Sequence, residues 1–246
     1  MARMKFMNTE IDNLTMQETL QAIDRLIQEN KSAYVVTPNV DHIVQLETSK
    51  ELQEVYHNAS LILTDGKPLL WIAKWYGTPI REKISGSDLF PLLCKMAAEK
   101  GYKMFFLGAA EGVASKAAEN LMNRFKGLQV VGTYSPPFGF EKNPVEIDKI
   151  KSMVKEVDPH ILIVGLGCPK QEKFMYHYCA ELGVPISFGL GASFDFEAGN
   201  IKRAPRWMAN HGLEWLFRIT QDPKRMARRY LIDDRKILGL AIKYRK

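Results

Sequence analysis

Long apolar runs are missing from this chain. No window approaches the roughly 18 apolar residues that a membrane-crossing helix needs, so no transmembrane segment is predicted. The start, Met1-Ala2-Arg3-Met4-Lys5-Phe6, lacks the apolar stretch of a secretory leader. Cysteine is scarce: Cys94, Cys168 and Cys179 are odd in number and show no metal-ligand spacing, which argues against a disulfide framework or a zinc ribbon and for reduced cytosolic thiols. The five histidines, His42, His57, His160, His177 and His211, form no ligand-spaced cluster along the chain. There is no internal repeat and no low-complexity linker. No strand is followed by the spaced glycine fingerprint with an acidic residue about 20 positions on, which counts against a nicotinamide-linked oxidoreductase.

What remains is a chain of 246 residues, 46% hydrophobic, enough for one large domain or a domain with an appendage. Short β-branched or aromatic runs at Ala33 to Thr37, Leu61 to Thr64, Lys103 to Leu107, Gln129 to Gly132, Ile161 to Val164 and Ile186 to Gly189 read as buried strands. Helical patterns lie between them, among them a single helix over His42 to His57. Met4 to Asn8 is expected to add an edge strand with Ile11. Strands alternating with helices predict an α/β fold with a mainly parallel sheet covered on both faces.

Charge is unevenly spread. The chain carries 34 Lys and Arg against 28 Asp and Glu, and residues 201–246 alone hold 13 of the first and 4 of the second. The seam near Lys202 to Pro205 therefore divides a core, 1–202, from a basic helical C-terminal appendage, 203–246. A basic patch of this size has three ordinary partners: nucleic acid, an anionic membrane surface or a diphosphate-bearing substrate. Trp207, Met208, Leu213, Trp215, Leu216, Phe217 and Ile219 interleave apolar side chains with its arginines, the mixture of a helix lying at a lipid surface.

Ligands of open parallel sheets bind outside the carboxyl ends of the strands. Thr37-Pro38-Asn39, Thr64-Asp65-Gly66, Gly108-Ala109, Gly132-Thr133-Tyr134, Gly165 to Gly167 and Gly189 to Gly191 all fall on that rim. Singly, each has a plain structural use, as a cap or a turn. Their convergence on one edge marks a site.

These motifs, with Asp41-His42, Gly86-Ser87-Asp88-Leu89, Phe106-Leu107-Gly108-Ala109, Gly165-Leu166-Gly167-Cys168-Pro169-Lys170-Gln171-Glu172, Gly191-Ala192-Ser193-Phe194-Asp195, Lys202-Arg203-Ala204-Pro205 and Gly212 to Arg218, stand in family order. From end to end the sequence resembles the WecG/TagA/CpsF glycosyltransferases. The resemblance implies a Rossmann-like core and an inverting transfer of a hexose, N-acetylmannosamine or another, from a UDP-sugar to a polyprenyl-diphosphate-linked sugar in cell-surface polysaccharide synthesis. It also implies work at the inner face of the cell membrane, no metal ion and no nucleic acid, while a family that includes dimers and trimers leaves a homo-oligomer open.

Inversion in one displacement needs a base within reach of the acceptor hydroxyl. The family's proposed base falls on Asp65, with Thr37, Asn39 and Gln171 as residues that would orient the donor sugar or the acceptor. Gly108, Ala109, Gly167 and Gly191 would admit the UDP backbone, Tyr134 would pack on uracil or ribose, and Lys170 and Asp195 complete the donor set. Without a metal, the leaving UDP needs cations, and Arg203, Arg206, Arg218, Arg225, Arg228 and Arg229 supply fork-shaped donors for phosphate. Spacings of seven and three predict that Arg218, Arg225 and Arg228 share one helical face. Asp195-Phe196-Glu197 is also an acid-x-acid triplet of the kind that holds Mg²⁺ or Mn²⁺ against a diphosphate. A second class stays open, a nucleic-acid-binding protein using the basic tail, for which Asp65 would be irrelevant. Lys67-Pro68 after Asp65-Gly66, where the teichoic-acid branch tends to carry small residues, leaves the donor sugar open.

Overall fold

Each of the six runs read as buried strands is followed by a helix, and the computed structural model, which describes residues 3–205, 207–208 and 211–245 and not the side chain of Arg225, turns that rhythm into three layers. In chain order the elements are β1 (Met4–Phe6), β2 (Thr9–Ile11), α1 (Met16–Glu29), β3 (Ala33–Val36), α2 (Val40–Leu46), α3 (Lys50–His57), β4 (Leu61–Ile62), α4 (Lys67–Trp75) and α5 (Gly86–Lys100). There follow β5 (Lys103–Gly108), α6 (Val113–Arg124), β6 (Gln129–Tyr134), α7 (Pro144–Val157), β7 (Ile161–Gly165), α8 (Lys170–Leu182), β8 (Ile186–Gly189) and α9 (Ser193–Ala198). The tail forms α10 (Glu214–Gln221), α11 (Pro223–Arg228), a wide turn over Arg229–Asp233, and α12 (Lys236–Lys243).

The sheet has six parallel strands in the order β4-β3-β8-β7-β5-β6. Alternate residues feed two cores. Tyr34, Val36, Phe105, Leu107, Leu162 and Val164 face α2, α3, α4, α7 and α8. Val35, Met104, Phe106, Ile161, Ile163 and Phe188 face α1, α5, α6 and α9. Both faces are covered, which is why runs such as Ile161 to Val164 carry no polar alternation. The tail belongs to the first core: Ile237 and Ala241 of α12 are buried there, and Tyr76 donates to the carbonyl of Ala241 at 2.7 Å.

Three readings of the sequence change. The run from His42 to His57 is two helices, because Ser49 turns out of the first and caps the second, accepting from Leu52 N at 3.2 Å. The first strand does pair with Ile11, which faces Met4, but the pair stands apart from the main sheet. β1 pairs antiparallel with β2, and Asp12 ties this hairpin to β4 by accepting from Ile62 N at 2.8 Å. The tail helix carrying Arg218 stops at Asp222, since Pro223 lacks a donor and disfavours helical geometry in the residue before it, so the spacings of seven and three do not run along one helix.

At the carboxyl edge, β5 and β7 are neighbours whose crossovers leave in opposite directions, β5 to β6 and β7 to β8. There Gly108 has φ +108°, and a β-carbon on it would lie 2.5 Å from the carbonyl oxygen of Gly165. Gly108→Ala is accordingly expected to lower stability by about 2–4 kcal/mol. The check is the urea midpoint at unchanged m-value; an unshifted midpoint would mean that these strand ends are not held so close.

Candidate active site

Pairing between β3 and β4 continues past their last ladder residues. Leu63 N donates to Val36 O at 2.9 Å and Asp65 N donates to Pro38 O at 2.9 Å, which sets Asp65 beside the turn that carries Thr37 and Asn39. Asn39 caps α2: its Oδ1 accepts from Asp41 N at 3.0 Å and His42 N at 3.4 Å, and also from Arg229 Nη2 of the tail at 3.0 Å. Its carbonyl is thus committed, and a ligand is left its amide NH₂.

Gln171 crosses from the β7 turn to the β8 turn. Its Oε1 accepts from Gly191 N at 3.1 Å and its Nε2 donates to Glu172 Oε1 at 2.8 Å. A β-carbon on Gly189 would lie 2.9 Å from Gln171 Nε2, and one on Gly191 would lie 3.1 Å from Gln171 Oε1. The two glycines make room for this buried amide. Gly167 is different: nothing lies within 4 Å of its missing side chain, so its backbone stands open to a ligand.

Two cavities meet at this edge. A polar one of about 360 Å³ is lined by Thr37, Ser87, Gly167, Cys168, Gln171, the Gly189 to Ser193 turn, Phe196 and Met226. A more apolar one of about 410 Å³ is lined by Gly66, Lys67 and Pro68 at the start of α4, by Lys83, and by Trp215, Tyr230, Leu231, Ile237 and Leu238 of the tail. Asn39, Asp65, Arg218 and Arg229 belong to both walls. A carboxylate and two guanidinium groups therefore stand where the cavities join.

Burial pushes the Asp65 carboxyl up to about 6, against the pull of Lys83 and Arg218 and with the repulsion of Glu214 and Asp88. Arg218 donates to Glu214 Oε1 at 3.1 Å; burial works against its charge, but Tyr230, Glu214 and Asp65 outweigh that and hold it protonated. Asp88 goes the other way. Burial opposes its ionisation, yet Lys83 at 2.8 Å, Ser85 and Arg203 hold it down at about 2. One carboxylate at this edge is saturated with cations, and the other keeps a proton affinity suited to accepting one near neutral pH.

A model of the glycosyl transferase WecG/TagA/CpsF family matches residues 4–246. The chain belongs to this family. It is a glycosyltransferase. Among its relatives, the N-acetylglucosaminyldiphosphoundecaprenol N-acetyl-beta-D-mannosaminyltransferase of Bacillus spizizenii strain W23 is 34% identical over 203 residues, 82% of this chain and 76% of the relative. The protein of the same name from Bacillus subtilis strain 168 is 28% identical over 202 residues, 82% and 77% of the two chains. That from Staphylococcus aureus strain MW2 is 26% identical over 229 residues, 92% and 88%.

In this WecG/TagA/CpsF glycosyltransferase, Thr37, Asn39, Asp65, Gly167, Gln171, Gly191 and Arg218 line the cavities. Other residues expected at the site stand outside both walls. Gly108 packs on the Gly165 backbone, and Ala109 N donates to Gly165 O at 2.7 Å. Tyr134 bonds Glu146 and Lys149, and Lys170 pairs with Glu141 at 2.7 Å above the Phe138 ring. Asp195 accepts from Asn200 at 3.4 Å, while Glu197 pairs with Arg124 at 3.1 Å. The acid-x-acid triplet sits on α9, where residues two apart leave the helix in different directions, so the two carboxylates do not converge. Arg203 is held by Asp88 and Ser87, and Arg228 is exposed. Arg206 and the side chain of Arg225 lie outside the described residues. Lys83 and Tyr230 went unread in the sequence, and Glu214 was read only as part of the motif from Gly212 to Arg218, with no role; the neighbouring motif at Gly86-Ser87-Asp88 hinted at Lys83, and nothing local marked Tyr230.

Proposed function

We propose that this chain moves a hexose, N-acetylmannosamine or another, with inversion from a UDP-sugar to a polyprenyl-diphosphate-linked sugar. The observation that carries the reading is the pair of cavities joined at Asp65 between Arg218 and Arg229. The polar cavity takes the nucleotide sugar, with the open backbone of Gly167 and the two guanidinium groups available to its diphosphate. The apolar cavity takes the acceptor, whose terminal hydroxyl reaches Asp65. Asp65 accepts the hydroxyl proton as the oxygen attacks the anomeric carbon, the bond to UDP breaks, and the UDP oxygen leaves with the electron pair. Attack on the side opposite the leaving group inverts that carbon. Arg218 and Arg229 stabilise the charge that develops on the diphosphate, in place of a metal ion.

Access to a lipid acceptor follows from the surface around the apolar cavity. Trp71, Trp75, Trp215, Leu216, Leu231, Leu238 and Ile242 are exposed, and Arg245 stands over the Trp75 ring at 4.1 Å. No helix among the described residues is long and apolar enough to cross a membrane. The reading is peripheral association with the inner face of the cell membrane through this aromatic and basic surface.

The test is a calorimetric titration of the protein with UDP in metal-free buffer, with NAD as control. Saturable UDP binding and none of NAD is expected. Binding of NAD, or of UDP only after Mn²⁺ is added, would overturn the arginine-based donor site.

A further inference from the structure

We propose that His42, Cys168 and Glu172 form a binding site for a zinc ion, which pins the turn after β3 to the turn after β7. Cys168 and Glu172 stand four apart in one motif, but His42 lies more than a hundred positions away and no spacing announces it. The fold gathers them because α2 and α8 cover the same face of the sheet, and their ligand atoms all lie within 4.8 Å of one another. His42 Nε2 is 3.3 Å from Glu172 Oε1. A tetrahedral ion with bonds of about 2.0 Å to nitrogen and oxygen keeps those two atoms roughly 3.3 Å apart, and thiolate, imidazole and carboxylate are the ligands zinc accepts.

The surroundings point the same way. His42 Nδ1 lies 2.9 Å from Asn39 Oδ1 and 3.4 Å from Asn39 N, so that nitrogen is engaged by its own helix cap and Nε2 is the atom turned to the site. A metal-bound histidine is oriented in this manner by a partner on its other nitrogen. Nε2 facing a carboxylate must hold either a proton or a cation. A proton alone leaves Glu172 Oε2 buried with no hydrogen-bond partner, on a side chain that is only 1% exposed. A metal ion held by both carboxylate oxygens engages all three side chains and gives Oε2 its partner. Gln45 Nε2 lies 3.5 Å from Cys168 Sγ, a donor in place to support a thiolate.

Binding would release the Cys168 thiol proton and leave one position of the ion for water, since His42 and Cys168 form part of the polar cavity wall. The ion acts as a clip and takes no part in sugar transfer: Asn39 and Gln171, each one residue or one helical turn from a ligand, are the groups it would hold still. The inference rests on no reading of donor or acceptor.

The full chain, stripped by a chelator and dialysed, is titrated with Co²⁺. Expected are a thiolate-to-cobalt charge-transfer band saturating at one equivalent, its loss when Zn²⁺ is added, its absence in Cys168→Ser, and its persistence in Cys94→Ser and Cys179→Ser. Zn²⁺ should also raise the melting temperature of the wild type and leave Cys168→Ser unmoved. No charge-transfer band in the folded wild type would overturn the site and leave a hydrogen-bonded trio only. A band that survives in Cys168→Ser would overturn it as well, by placing the ion elsewhere.

Discussion

Asp65→Asn is expected to lower sugar transfer by about 10²–10⁴-fold while UDP still binds, because the substitution removes a proton acceptor and little else. The pH profile separates this role from mere positioning. The carboxyl titrates at about 6, so wild-type turnover should fall roughly tenfold per unit as pH drops below that value, and the residual activity of the variant should stay flat there. Stability should move in the opposite sense. Burial raises the folded-state value above the ordinary carboxylate range, so the contribution of this group to folding is full below about 4 and is lost as pH rises through about 6. Asp65→Asn therefore should melt at or above the wild-type temperature at pH 7, with the difference gone near pH 4. Turnover within a fewfold of wild type would remove Asp65 from the base role, and loss of UDP affinity in parallel would make it a binding residue instead.

Deleting residues 203–246 should abolish transfer and spare the sheet. The tail supplies Arg218 and Arg229 at the cavity junction and Trp215, Tyr230, Leu231, Ile237 and Leu238 around the apolar cavity, whereas every strand and all of α1 to α9 precede it. What the core loses is cover: Met226, Ile237 and Ala241 are buried, Tyr76 bonds the Ala241 carbonyl, and Lys243 and Tyr244 both reach Glu47. Circular dichroism of the truncated chain should match the α/β core at a lower melting temperature. Arg218→Ala in the full chain isolates the electrostatic part and should cost about 10²–10³-fold in turnover, the scale of one lost donor to a developing charge. A truncated chain that transfers sugar at the wild-type rate would sink the idea that the tail completes the site.

The rim residues show how far a linear reading carries. Thr37, Asn39 and Asp65 were legible because they end strands that a parallel sheet must bring to one edge. Gly108 and Gly191 were legible as glycines but not as to purpose. The first makes way for the Gly165 carbonyl and the second for the Gln171 amide, and both neighbours come from other strands or helices. Asp195 and Glu197 looked paired in the sequence, and the turn of α9 separates them. Of the tail arginines, Arg218, Arg225 and Arg228 were expected to share one helical face. Pro223 divides them between two helices, leaving Arg218 and Arg229 in the cavity walls, Arg203 tied to Asp88 and Arg228 in solvent.

The sequence by itself determined the layered α/β fold, the edge at which chemistry occurs and the family, since strand-forming runs, turn residues and ordered motifs are local properties of the chain. Tertiary structure alone decided which side chains share a cavity. It set Lys83 and Arg218 around Asp65, joined a polar cavity to an apolar one through the tail, and brought His42 to Cys168 and Glu172. Those pairings depend on strand order and on where helices cross the sheet. Such contacts, most of them between residues more than a hundred positions apart, are set by the packing of the whole chain and leave no spacing in the sequence.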